Sequence, residues 1–202
     1  GFTEFKSSIQ NDLKELSYDD FTIHDSEQVI HTVNKIEALY QNVIKETKQK
    51  LSVSQIQRIL KEMNQRKYVD FIVYDANEAL AEYASHYFFS TGKICNVYTS
   101  VDEQIYFAMN AEPEEHLVFM ISRSGASKRM VKVAKIMNTR GVFTVLFSQS
   151  KKTVVSSYCT ETVTASYVHS FKKLGDCMVY TSVKYLLYCI IASYYASNYD
   201  EA

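Results

Sequence analysis

The stretch "ISRSGASKRMVKVAKIMNTRG", residues 121–141, decides how the chain is read. An apolar run from Leu117 to Ile121 breaks into Ser122, Arg123, Ser124, Gly125, Ala126 and Ser127. Met130, Val133, Ala134 and Met137 then recur at helical spacing. A buried strand, a small polar loop and an amphipathic helix thus follow one another without a linker. The same alternation extends outward on both sides. From Tyr68 on, it predicts strands near 69–74, 94–98, 117–121, 142–147 and 159–163, with helices near 77–91, 100–110 and 126–140 and a shorter one near 151–156. Strands of continuous apolar residues separated by helices imply an α/β fold, with a five-stranded parallel sheet covered on both faces.

Outside this alternation lie three more helical patterns. The last, about 176–198, puts Val179, Val183, Leu186, Leu187, Ile190, Ile191 and Tyr194 on one wide apolar face. Its tyrosines at 180, 185, 188, 195 and 199 exceed what a core face needs; they line a subunit interface or lie half-exposed as amphipathic side chains. Ahead of the sheet, one helix is expected to start after Asp25 or Ser26, carrying Val29, Val33, Ile36, Tyr40, Val43 and Ile44. A second starts at Ser52, with Gln55 completing a capping box. The opening "GFTEFKSSIQNDLKEL" reads as a further short helix that begins abruptly, as though cut from something longer.

Bulk composition narrows the function. The 202 residues suit one sizeable core plus an appendage, and 47% hydrophobic with 22% charged residues is ordinary globular composition. No apolar run is long enough to span a bilayer and the N-terminus lacks a signal-peptide pattern, so a cytoplasmic protein with no membrane partner is expected. Cys95, Cys159, Cys177 and Cys189 stand apart, with neither C-x-x-C nor zinc-finger spacing, which predicts free thiols and no metal. A net charge of -1 leaves no basic footprint for nucleic acid, so any DNA contact must come largely from elsewhere.

The serine loop carries the chemistry. In open parallel sheets ligands bind beyond the carboxyl ends of the strands, where residues 122–127 must lie. The helix N-terminus there offers unpaired N–H groups to an anion, Ser122, Ser124 and Ser127 add hydroxyls, and Gly125 lets the backbone approach closely. Lys128 and Arg129 oppose the helix dipole unless an anion is near. Spacing alone equally accommodates serine and glycine as cap and turn residues with a solvated basic pair.

These residues, followed by "VFTVLFSQSKKTVVSSY", resemble the signature of the SIS, or sugar isomerase, domain: an I-S-x-S-G-x-[ST] loop, a long helix, Gly, a strand and a serine-containing turn. "GFTEFKSSIQNDL" resembles the last helix of the helix-turn-helix domain in RpiR-type transcriptional regulators. The resemblance implies residues 1–20 as the remnant of that domain and its linker, and 21–202 as the SIS domain. It implies a three-layer, flavodoxin-like α/β/α fold, a homodimer or higher homo-oligomer, and a phosphorylated sugar as effector, with operator DNA bound through a helix-turn-helix domain mostly missing from the chain. No cofactor is implied. Carried over by position, the phosphosugar ligands are Ser122, Ser124 and Ser127, shaped by Gly125, with Ser148 in the turn "FSQSKK". After the first strand the family's G-x-G-x-S type loop is replaced by "VYDAN", where both glycines are missing. Asp75 and Asn77 stand there, either as groups for the sugar end of the ligand or as helix caps.

Catalysis has weaker support. Glu78, Glu82 and His86 share a helix face that reads more readily as solvated than catalytic, and Glu161 and His169 lie around the fifth strand. No P-loop, G-x-S-x-G elbow or H-E-x-x-H motif occurs. The expected function is an effector-binding domain of a regulator of sugar-metabolism genes, not an enzyme. A sugar-phosphate isomerase and a ligand-free dimerisation module are the alternatives.

Overall fold

The computed structural model describes residues 23–167 and 175–199. The proposed remnant at residues 1–20 lies outside them, as does His169. Two helices lead, α1 (Val29–Lys50) and α2 (Val53–Gln65). Strands and helices then alternate: β1 (Tyr68–Ile72), α3 (Asn77–Phe89), β2 (Ile94–Tyr98), α4 (Val101–Asn110), β3 (His116–Ile121), α5 (Lys128–Arg140) and β4 (Phe143–Ser148). A 3-10 turn at Ser156–Tyr158, β5 (Glu161–Thr164) and α6 (Gly175–Ser197) complete the order. The strands pair in parallel in the order β2-β1-β3-β4-β5. The chain leaves β1 toward one edge of the sheet and passes from β3 toward the other, so a crevice is expected where the carboxyl ends of β1 and β3 diverge.

Alternation along the strands divides the core. Val69, Phe71, Phe119, Ile121 and Phe147 face α2, α3 and α6, while Ile72, Val118, Met120 and Leu146 face α4 and α5. On the first face Phe71 packs against Phe88 and Phe119 at centroid distances of 6.3 and 5.4 Å, and Phe119 meets Phe147 at 5.5 Å. α1 lies outside this layer, burying Ala38, Leu39, Val43 and Thr47, and the Thr47 hydroxyl bonds that of Ser182 on α6 at 2.7 Å. The three-layer α/β/α fold with its five-stranded parallel sheet is therefore as expected from the apolar runs.

The differences are local and have local causes. α1 starts at Val29 rather than just after Asp25 or Ser26, because Ser26 has φ 59° and its side chain caps nothing. Ser52 does accept the Gln55 N–H, at 3.3 Å, but the Gln55 side chain does not close a capping box. It reaches β5 instead, donating to Glu161 Oε2 at 2.7 Å and the Thr162 carbonyl at 3.1 Å. A complete capping box forms at Ser100 and Glu103, heading α4. The helix expected near 151–156 is absent, and only the 3-10 turn at Ser156–Tyr158 forms. Thr153 and Ser156 trade side-chain hydrogen bonds with each other's backbone, and the Val155 N–H is taken by the Gly125 carbonyl at 2.9 Å. Local hydroxyl bonding of this kind competes with helix propagation.

Gln55 and Arg58 clasp β5 to α2, with Arg58 Nε 2.6 Å from Glu161 Oε1. Burial acts to raise the Glu161 carboxyl, and the hydrogen bonds from Arg58 and Gln55 outweigh it, holding it below the ordinary 4.5. A depressed carboxyl contributes stability above its unfolded value, and that contribution disappears as the pH falls through the folded one. The gap in urea midpoint between the native protein and Glu161→Gln is therefore expected to close on acidification below about pH 4. A gap independent of pH would show that the clasp holds by packing alone.

Candidate functional site

At the carboxyl end of β1 the chain turns at once. Asp75 takes φ 54°, in the left-handed region that Asp and Asn visit more readily than other side chains. The turn closes with the Asn77 and Glu78 N–H groups donating to the carbonyls of Tyr74 and Asp75, at 3.3 and 3.0 Å. Asp75 and Asn77 are therefore not the side-chain caps that their residue types suggested. The cap position of α3 is Ala76, without a side-chain bond, while Asn77 is buried and its Nδ2 donates to the Tyr74 carbonyl at 3.2 Å. The Asp75 side chain is exposed and has no partner among the described residues.

At the carboxyl end of β3 the serine loop is folded by its own backbone. The Gly125 N–H donates to the Ser122 carbonyl at 3.2 Å, and Ser124 Oγ accepts from Ala126 at 3.4 Å. Ser127 caps α5, accepting the Met130 N–H at 3.5 Å. The N–H groups of Ser127, Lys128 and Arg129 keep no acceptor among the described residues, as expected at a helix start. Ser122 is fully buried and its hydroxyl has no hydrogen-bond partner among the described residues. Buried polar atoms are rarely left so, and functional sites are among the places where they occur.

Gly125 has φ 59° and packs against Thr153, with no room for a Cβ. Ser148, the remaining sequence candidate, is buried and donates to the Arg123 carbonyl at 2.9 Å, and Gln149 N–H bonds the same oxygen at 3.0 Å. Ser148 thus positions the loop from beneath rather than facing the solvent. Arg129 is also committed inward. Its Nε donates to Gln104 Oε1 at 2.8 Å, another guanidinium nitrogen to the Thr99 carbonyl, and the group lies over the Tyr74 ring. Gln104, fully buried, donates in turn to the carbonyls of Val73 and Tyr98, both at 2.7 Å, joining the ends of β1 and β2. Of the basic pair expected to mark an anion, only Lys128 stays exposed without a partner.

Between the two loops lies a cleft of about 200 Å³, lined by Tyr74, Asp75, Asn77, Arg123, Ser124, Val179 and Tyr180. It opens where the strand order reverses. Ser124, Asp75 and Asn77 from the sequence reading meet there, joined by Arg123, Tyr74 and Tyr180, which that reading did not assign to the site. On the far side of Ser124 a wider, open hollow runs along Gln149 to Val154 and includes Lys151 and Lys152. Charge is segregated along the sequence. Residues 70–115 hold nine Asp and Glu and one Lys, whereas residues 116–160 hold eight Lys and Arg and no acid. The cleft is lined from both stretches.

Groups weighed for catalysis lie elsewhere. Glu161 opens β5 at the amino end of its strand and is held by Arg58 and Gln55. Glu82 and His86 are exposed on α3. Burial pushes the thiols of Cys95 and Cys159 up to about 12, which leaves both protonated and unreactive at neutral pH. Among the described residues no set of side chains has the make-up of a metal site, and no helix is long and apolar enough to cross a membrane.

The SIS domain profile matches residues 62–190, well over half of the chain, and the chain belongs to the SIS domain family. No curated protein sequence matches it. Among solved structures it is similar to the Vibrio vulnificus NanR protein complexed with ManNAc-6P, at 16% identity and TM-score 0.77, covering 87% of this chain and 65% of NanR. The chain thus spans about two thirds of NanR's length. The sugar isomerase domain of the RpiR transcription factor from Sphaerobacter thermophilus matches at 14% identity and TM-score 0.69, covering 84% of this chain and 93% of that one. A Methanococcus jannaschii protein, whose structure was taken to infer 3-hexulose-6-phosphate isomerase function, matches at 13% identity and TM-score 0.64, covering 81% and 90%. At these identities the likeness is one of fold.

Proposed function

We propose that the chain is the effector-binding domain of an RpiR-type transcriptional regulator, sensing a phosphorylated sugar in the cleft between the β1 and β3 loops. One observation carries the reading. The serine loop presents the free N–H groups at the head of α5 and the exposed Ser124 hydroxyl beside a cleft at the strand-order reversal, within the acid-free stretch 116–160. The phosphate is held by Ser124, Ser127 and the α5 N-terminus, with Gly125 and Ser148 shaping the loop and Ser122 beneath it. Asn77 and Asp75 face the sugar. The likeness to NanR and RpiR agrees with this assignment.

Operator DNA would be contacted by a helix-turn-helix head that the described residues do not include, and the effector would act by favouring one arrangement of a homodimer over another. Tyr83, Tyr87 and Tyr188 form an exposed aromatic cluster with Lys184 across α3 and α6, a composition suited to such a subunit contact. The domain is expected to bind sugar phosphates without turning them over, in the cytoplasm.

Removing one hydroxyl that bonds a phosphate weakens binding by about tenfold or more. Calorimetric titration of Ser124→Ala with hexose 6-phosphates and inorganic phosphate is expected to show that loss, at an unchanged melting midpoint because Ser124 is exposed. Unchanged affinity for every compound that binds the native domain would place the site elsewhere.

A further inference from the structure

We infer that the cleft selects a sugar phosphate carrying a free, protonated amine, with Asp75 as the residue that recognises it. This rests on the phosphosugar reading above and goes beyond it by naming the ligand's second charge. The cleft has unlike walls. On the β3 side stand Ser124 and Arg123, continuous with the head of α5, and on the β1 side Asp75 is the one carboxylate among the described residues that line the space. No cation among the described residues pairs with Asp75, though eight Lys and Arg occupy residues 116–160.

Its placement is built into the backbone. The left-handed φ of 54° at Asp75 turns the chain directly after β1, and the buried Asn77 side chain ties that turn to the Tyr74 carbonyl at 3.2 Å. A carboxylate in that position disfavours a ligand that is anionic throughout and leaves a neutral hydroxyl with only an ordinary hydrogen bond. A protonated amine gains a charge-assisted one.

The size of the cleft supports a short ligand. About 200 Å³ lies below the range of about 300 to 1,000 Å³ common for drug-sized ligands, and a single sugar ring with its phosphate would bring both charged ends against the walls. The wider field points the same way. Asp75 belongs to a stretch, residues 70–115, with nine Asp and Glu, and Ser124 to one, residues 116–160, with eight Lys and Arg and no acid, which favours a dipolar ligand in one orientation. An N-acetylated sugar phosphate lacks the positive end and forfeits this advantage.

The test compares three probes by calorimetric titration: a hexosamine 6-phosphate, the matching hexose 6-phosphate and the N-acetylhexosamine 6-phosphate. The native domain is expected to bind the free amine about tenfold tighter than the other two, a modest factor because the carboxylate is exposed. Asp75→Asn keeps a residue that tolerates the left-handed turn and removes only the charge. It is expected to bring the three affinities together by weakening the amine alone. Equal binding of all three by the native domain, or a preference that survives Asp75→Asn, overturns the inference and leaves the phosphosugar site standing. Failure of all three and of inorganic phosphate to bind overturns both.

Discussion

Gly125→Ala is expected to cost about 3 kcal/mol and to lower the melting midpoint by about 6 to 12 °C. Two effects add. A side chain at φ 59° adopts a left-handed backbone, worth about 1 to 2 kcal/mol. The new Cβ would also lie within 2.7 Å of Thr153 Cγ2 and closer still to Cβ and Oγ1 of the same residue. Thr153 cannot swing aside freely, since its Oγ1 accepts the Ser156 N–H at 3.0 Å and its N–H donates to Ser156 Oγ at 2.7 Å. Gly141 supplies the control. It has φ 77° with nothing within 4 Å of its Cβ position, so Gly141→Ala should show the backbone effect alone. Equal losses for the two variants would mean that the serine loop is not clamped against Thr153. A larger loss at Gly125, with phosphate binding lost as well, would show that the cradle depends on the clamp.

Asp70→Ala should be comparably damaging, by about 1 to 3 kcal/mol in urea unfolding, because removing the buried carboxylate strands the polar groups bonded to it. Asp70 is wholly buried in β1, with its two oxygens 2.6 Å from His116 Nδ1 and 2.7 Å from Asn96 Nδ2. The His116 ring is stacked on Tyr68 at 4.7 Å and met edge-on by Phe107 at 5.2 Å, so it has little freedom to turn toward water. Replacing the group together, with Asp70→Leu, His116→Phe and Asn96→Leu, should recover much of the loss, since apolar packing often equals a buried polar network. If Asp70→Ala costs less than about 1 kcal/mol, water has reached the site and satisfies the stranded groups.

How much of this was legible in the residues depends on the range of the interaction involved. Leu117–Ile121 and Val142–Phe147 read as buried strands because a parallel sheet covered on both faces needs uninterrupted apolar residues, and those strands formed within a residue or two. Ser122–Ser127 read as a loop at a helix start for equally local reasons. Arg129 misled, because its partners Gln104 and Thr99 come from another element and no short window shows them. Ser148 was correctly placed near the loop, yet its direction depends on the Arg123 carbonyl across the sheet. Asp75 and Asn77 looked like caps because residue type reports propensity, whereas the left-handed turn that sets them depends on how β1 is joined to α3. The signal that went unused was charge order. The acid-free run from 116 to 160 is plain in the one-letter string, and it marks the positive wall of the cleft.

That division of charge bears on how copies of the protein behave in concentrated solution. With a net charge of -1 and a pI near 6.6 there is almost no overall repulsion to keep molecules apart, while the acid-rich stretch 70–115 of one is expected to attract the basic stretch 116–160 of the next. Such a colloid salts in. Raising the ionic strength to about 0.15 M shortens the screening length to about 8 Å, which weakens that attraction and raises solubility. The same asymmetry should let one nearly neutral molecule adhere to cation-exchange and anion-exchange resins alike, each holding one of the two stretches.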